Sequence, residues 1–253
     1  MDLGIRGKVA IVTASSGGLG RAIAERLAEE GCKLALFARS ADRLEEAAAD
    51  FRSRFGVEVL AVRGDMAVEA DVDRLRAEVE RVFGGLDILV LNTGRPPTKM
   101  RPVLEELDDQ RWEEAYRTQL WGAVLVIRKI TPMLLERGWG RVIGVTSATV
   151  KQPMPKHALS TVFRAGVTGM LKHLANEIAD KGVTVNLVLP ASVGTDALVS
   201  SYDPAERIKT VPVRRLGRPE ELAATVAFFA SDLAGFTTGA SLHVDGGMVA
   251  GLN

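Results

Sequence analysis

The 253-residue sequence has few of the residues that staple, ligate or titrate: one cysteine, three histidines and two tyrosines. The single thiol, Cys32, excludes an internal disulfide and fits a reducing compartment, so a cytoplasmic location is expected. The histidines stand apart from one another, and no His, Cys, Asp or Glu cluster has metal-ligand spacing, so no metal site is expected. Net charge is absent too: 32 Lys and Arg face 32 Asp and Glu. That balance leaves no basic field to gather nucleic acid or an acidic membrane surface. No apolar stretch approaches the ~20 residues of a membrane-spanning helix. The opening MDLGIRGKVAIV carries charge straight into a short apolar run and lacks the layout of a signal peptide. Neither nucleic acid nor membrane is an expected partner.

What is present is an alternation. Short runs rich in Val, Ile and Leu occur at 8–14, 33–39, 57–64, 86–92, 141–147, 183–190 and 241–247. Continuous apolar runs suit strands buried on both faces, as in a parallel sheet. Between them, 20–31 and 41–56 show helical spacing and end in glycine, and Pro219 opens another helical segment. Strand–helix alternation implies βαβ crossovers and an α/β, doubly wound, seven-stranded parallel sheet with helices on both faces. No repeat, low-complexity tract or linker divides the chain, so residues 1–253 are read as one domain. The least regular pieces, 93–107 and 191–218, follow strands and belong at the carboxyl edge, where ligands bind in such folds.

Residues 13–21, TASSGGLGR, join the first strand to the first helix. Closely spaced glycines there let the backbone approach a pyrophosphate at a helix start that offers free N–H groups. TASSGGLG resembles the T-G-x-x-x-G-x-G loop of short-chain dehydrogenases/reductases, with Ala14 where the family has its first glycine. The resemblance continues through Asp65 after the third strand, LNTG (91–94) for N-N-A-G, LPASVGT (189–195) for P-G-x-x-x-T, and a closing HVDGG. It implies a Rossmann-like fold, with cofactor contacts from Thr13, Ala14, Ser15, Ser16, Gly18, Leu19, Gly20, Asp65, Met66, Asn92, Gly94, Pro190, Val193 and Thr195. At Ala14 and Ala191 a Cβ stands where glycine permits close approach.

The second strand ends in Phe37, Ala38, Arg39 and Ser40. A carboxylate at this place would accept hydrogen bonds from a free ribose hydroxyl, whereas arginine suits a 2′-phosphate. Arg39 can grip that phosphate bidentately and Ser40 can add a hydroxyl, which favours NADP over NAD.

In the resembled family a serine ends the fifth strand, a tyrosine follows thirteen residues later, a lysine four beyond that, and an asparagine lies on the preceding long helix. Here those positions hold Ser147, Ser160, Arg164 and Gln119. No Tyr-x-x-x-Lys exists in the chain: four residues after Tyr116 stands Leu120, and after Tyr202, Glu206. A serine is a poor general acid without an activating partner, and arginine keeps its proton. Ser160 and Arg164 therefore read as groups that bind and orient. His157 reads as a solvated loop residue whose ordinary pKa also makes it the substitute donor to consider.

The resemblance implies an NADP(H)-dependent oxidoreductase like the 3-oxoacyl-(acyl-carrier-protein) reductase branch, acting on a small carbonyl or secondary alcohol, an acyl thioester included. Ser147 would bond the substrate oxygen and Arg164 the ribose. A homotetramer through the long helices at 108–136 and 158–181 is implied in the same way. The missing tyrosine and lysine keep a second reading open, a non-catalytic NADP-binding sensor or scaffold.

Overall fold

The computed structural model describes residues 1–252; Asn253, the last residue of the expected domain, lies outside them. Seven strands form one parallel sheet in the order β3-β2-β1-β4-β5-β6-β7. They are β1 (Val9–Thr13), β2 (Lys33–Ala38), β3 (Val59–Arg63), β4 (Ile88–Asn92), β5 (Gly140–Val145), β6 (Val183–Pro190) and β7 (Ser241–Val244). Every residue of β1, β5 and β6 is buried, which is why these runs are dominated by apolar residues on both faces. The edge strands β3 and β7 are only partly covered.

Helices cover both faces. On one side α1 (Gly18–Glu29), α2 (Ala41–Phe55) and α9 (Pro219–Ala230) bury Ile23, Leu27, Leu44, Phe51, Leu222 and Val226. On the other, α3 (Glu69–Phe83), α5 (Gly122–Glu136) and α6 (Ala158–Ile178) bury Val72, Leu75, Val126, Ile130, Val167 and Leu171. Strand order reverses between β1 and β4, so the loops after these strands flank a crevice at the carboxyl edge.

Two segments depart from the simple pattern. The long helix preceding β5 is α4 (Asp109–Ala115), then a π-helical turn at Tyr116–Trp121, then α5. Such wider turns inside helices often serve functional sites, and this one carries Gln119. The stretch 191–218, irregular by sequence, holds two short helices, α7 (Asp196–Val199) and α8 (Pro204–Lys209). Thr195 caps the first by accepting from the Leu198 N–H, and Asp203 caps the second by accepting from that of Ala205. Proline at the first position of α8 loses no hydrogen bond.

Candidate active site

The turn after β1 is locked to β4. The Thr13 hydroxyl donates to the Asn92 carbonyl at 2.7 Å and accepts from the Asn92 N–H at 2.9 Å. Asn92 Nδ2 donates to the Ala14 carbonyl at 3.5 Å. Gly20 must be glycine, since a Cβ there would stand 2.3 Å from the Ala14 oxygen. Gly18 has φ +53 and lies beneath Thr195, whose Cγ2 would be 3.7 Å from an added Cβ. Ala14 adopts φ +50, so it takes the left-handed conformation of a glycine and carries the strain of its Cβ. At Ala191 the backbone shows no positive φ, and alanine there is unstrained.

The first turn of α1 has no side-chain cap and no acidic residue, which leaves N–H groups free for an anion. Ser16 and Leu19 are half-buried along this turn. Ser15 is fully buried, and its hydroxyl accepts from the Phe37 N–H at 3.1 Å. It joins β1 to β2, and its hydroxyl helps hold the cofactor turn against the neighbouring strand.

At the end of β2, Arg39 and Ser40 are exposed, and Ser40 makes no side-chain cap to α2. Asp65 accepts from the Ala67 N–H at 2.9 Å and borders a cavity of about 550 Å³ that extends to Arg117 and Thr118. Met66 is buried against Gly122, where an added Cβ would lie 2.9 Å from its own. Val193 pairs with Gly217, and Pro190 ends β6 opposite Val244. A glycine cradle that any Cβ would fill, an uncapped helix start and a free arginine at the β2 end together fit a dinucleotide bearing a 2′-phosphate.

Three of the four expected catalytic positions, Gln119, Ser160 and Arg164, come together around the Arg164 guanidinium. Its Nη1 donates to Ser160 Oγ at 2.5 Å and to Gln119 Oε1 at 2.6 Å; Nη2 donates to the Gly94 carbonyl at 3.2 Å. Gln119 is fully buried, and its Nε2 donates to the Leu159 carbonyl at 3.2 Å and that of Ala115 at 3.4 Å. The π turn supplies this: it presents Gln119 to α6, one turn before Arg164. All three acceptors of Arg164 are neutral. Burial, and secondarily the neighbouring Arg95, pulls its pKa down to about 10.

Ser147 follows β5. Its Oγ accepts from the Thr149 N–H at 3.2 Å and the Thr149 hydroxyl at 3.0 Å, which leaves its own proton for another acceptor.

His157 is not a solvated loop histidine. It is half-buried and stacks on Tyr202, with ring centroids 6.1 Å apart and planes 10° apart. Its Nδ1 lies 2.7 Å from the Pro155 carbonyl, an acceptor, so Nδ1 carries the proton. Nε2 then accepts from the Tyr202 hydroxyl and Arg207 Nη2, each at 3.4 Å. Burial lowers the His157 pKa, and the Arg207 and Arg164 cations add to this against the Pro155 hydrogen bond. A neutral imidazole that accepts at Nε2 is poorly set to donate. Sequence reasoning missed Tyr202, Arg207 and Thr149; the first two reach the site only through the fold of 191–218, and no local pattern marks them.

A cradle shaped for a dinucleotide, beside a cluster of hydroxyl, amide and guanidinium, is the arrangement of an α/β oxidoreductase. Comparison with known proteins gives the same class. The family model for enoyl-(acyl-carrier-protein) reductase matches residues 13–249. A 3-oxoacyl-(acyl-carrier-protein) reductase of Staphylococcus epidermidis is 36% identical over 244 residues, covering 95% of this chain and 98% of that one. Nodulation protein G of Azospirillum brasilense is 35% identical over 245 residues, with the same coverage of 95% and 98%. L-sorbose reductase from Gluconobacter frateurii, solved with NADPH and L-sorbose, is 34% identical, covers 100% of both chains and superposes with a TM-score of 0.92. The chain belongs to the short-chain dehydrogenase/reductase family, and it is an oxidoreductase of that family.

Proposed function

We propose that the protein is an NADP(H)-dependent oxidoreductase that interconverts a carbonyl and a secondary alcohol without a catalytic tyrosine or lysine. The observation that carries this reading is the Arg164 hub, which ties Ser160, Gln119 and Gly94 together at the carboxyl edge of the sheet. When bound, the nicotinamide supplies or accepts the hydride. Thr13, Ala14, Ser16, Gly18, Leu19 and Gly20 cradle its pyrophosphate, Asp65 and Met66 border the adenine, and Arg39 with Ser40 takes the 2′-phosphate. Asn92, Gly94, Pro190, Val193 and Thr195 line the nicotinamide half.

Ser147 points its free proton at the substrate oxygen. Ser160 keeps its own proton available because Arg164 occupies it only as an acceptor. When Ser160 gives that proton to an alkoxide and recovers one from water, the adjacent guanidinium stabilises the oxygen charge in between. Gln119 is a positioning residue: its carbonyl fixes the guanidinium, and its amide is anchored to α6. Arg164 also takes the ribose hydroxyls.

The loops 93–107 and 191–218 form the substrate walls of a single domain, and the relatives make a 3-oxoacyl thioester a natural substrate to test. A homotetramer through the helices at 108–136 and 158–181 and a cytoplasmic location belong to the same reading. Cys32 is buried, with its thiol pushed up to about 12, mainly by burial, so it is unreactive. No helix among the described residues is long and apolar enough to cross a membrane.

Titration of NADPH fluorescence followed by a panel of ketones and 3-oxoacyl thioesters tests the proposal. Binding with turnover is expected. Binding with no turnover on any carbonyl overturns it in favour of a sensor.

A further inference from the structure

Ser147 caps a rigid turn, the single 3₁₀ turn Ala148–Val150. The Val150 N–H donates to the Ser147 carbonyl at 3.2 Å, and the Lys151 and Gln152 N–H groups donate to that of Ala148, each at 3.0 Å. Inside the turn Thr149 is 2% exposed, and a buried hydroxyl needs an acceptor for its proton. Among the described residues its one partner is Ser147 Oγ, at 3.0 Å, and a β-branched side chain has little freedom to turn elsewhere. The direction of that bond follows from burial. Thr149 has nowhere else to send its proton, whereas Ser147 is only half-buried and can aim its own into the site.

A serine oxygen has two lone pairs and one proton. Ser147 Oγ accepts twice from Thr149, from the N–H at 3.2 Å and from the hydroxyl, so both lone pairs are filled. Its proton has no acceptor among the described residues. Ser160 is different. Its Oγ accepts once, from Arg164 Nη1 at 2.5 Å, and retains a lone pair as well as its proton.

We propose that Thr149 is a positioning residue that fixes Ser147 as a one-way hydrogen-bond donor and so leaves Ser160 as the serine that exchanges a proton with the substrate. This rests on the oxidoreductase reading above and deepens it. In reduction the carbonyl oxygen gains negative charge, and the chain from Thr149 through Ser147 aims successive donors at it, each bond polarising the next. In oxidation the alcohol's proton finds no lone pair on Ser147 and goes to Ser160. Without the Thr149 hydroxyl, Ser147 has a lone pair open to water and a proton free to rotate away.

Thr149→Val keeps the shape of the side chain and removes the hydroxyl; Thr149→Ser keeps the hydroxyl. Both are assayed for NADPH oxidation on a ketone that wild type reduces, alone and combined with Ser147→Ala. Thr149→Val should lose roughly three- to tenfold in kcat, the weight of one neutral hydrogen bond, with KM and NADPH affinity little changed. Thr149→Ser should recover most of that loss, and Thr149→Val should cost nothing further once Ser147 is alanine. Wild-type kinetics in Thr149→Val, a loss that serine does not restore, or a loss that persists beside Ser147→Ala overturns the proposal and leaves the oxidoreductase standing. Dimethyl sulfoxide, an oxygen acceptor with no proton to give and no carbonyl to reduce, is titrated in parallel into the NADPH-saturated proteins. It should bind wild type and Thr149→Ser several-fold more tightly than Thr149→Val. If wild type reduces no ketone, that order supports the positioning role and counts against the oxidoreductase, and equal or absent sulfoxide binding overturns both.

Discussion

Arg164→Met separates what the guanidinium does for function from what it does for folding. The Arg164 pKa falls from the ordinary guanidinium value to about 10, through burial first and Arg95 second. At 1.36 kcal/mol per unit, the folded site disfavours its charge by roughly 3 kcal/mol at neutral pH. The folded value lies below the unfolded one, so stability rises only above about pH 10, where the folded state releases the proton first; at pH 7 the full cost is present. Three hydrogen bonds, at about 1 kcal/mol net each, offset that cost. Methionine removes both contributions and fills much of the volume. The remaining cost, about 1–2 kcal/mol, is the buried Gln119 carbonyl left without its donor. The variant should therefore unfold within about 2 kcal/mol of wild type, a Tm difference below roughly 8 °C for a chain of this length. Turnover should fall about 10²–10³-fold, the effect of losing one preorganised donor beside a developing oxyanion. Differential scanning calorimetry and NADPH oxidation on the same preparations give both numbers. A variant destabilised by more than about 4 kcal/mol would show that the cation is structural, and wild-type turnover would remove it from the reaction.

Three further outcomes follow from the geometry. Arg39→Ala should abolish most of the preference for NADPH over NADH in a fluorescence titration, because Arg39 is the exposed cation that directly follows β2; an unchanged ratio would place the 2′-phosphate elsewhere. Ala14→Gly should raise Tm by a few degrees: left-handed backbone costs alanine about 1–2 kcal/mol, and the added unfolded-state freedom of glycine returns only part of it. A lower Tm would contradict the strain. The folded His157 pKa lies below 6.5, so its contribution to stability is complete above that pH and is lost as pH falls through the folded value. Urea midpoints measured from pH 7 to 5 should decline more steeply in wild type than in His157→Gln, and equal slopes would refute the burial argument.

The sheet was legible because burial on both faces leaves runs that only a central parallel strand explains, as in β1 and β6. The glycine turn was legible because Gly18 and Gly20 answer local demands, one of backbone angle and one of space. Gln119 could be placed by counting along its helix, yet only the π turn shows why it reaches Arg164 across 45 residues of sequence. The bond by which Ser15 ties β1 to β2 was not legible, because spacing does not say which way a hydroxyl turns. His157 was taken as solvated because its partners, Tyr202 and Arg207, lie 45 and 50 residues away. The short helices α7 and α8 carry caps rather than an apolar stripe, so hydrophobic periodicity passed over them.

We propose that serines and an arginine replace tyrosine and lysine in this chain's carbonyl chemistry. Steady-state NADPH oxidation by wild type, Ser147→Ala and Ser160→Ala on one ketone that wild type reduces tests it most directly. Measurable wild-type turnover is expected, with a loss of about 10²-fold or more in Ser147→Ala and a smaller but clear loss in Ser160→Ala, and with NADPH affinity unchanged in both. Turnover indifferent to both substitutions, or a wild type that binds NADPH and reduces no carbonyl, would contradict it.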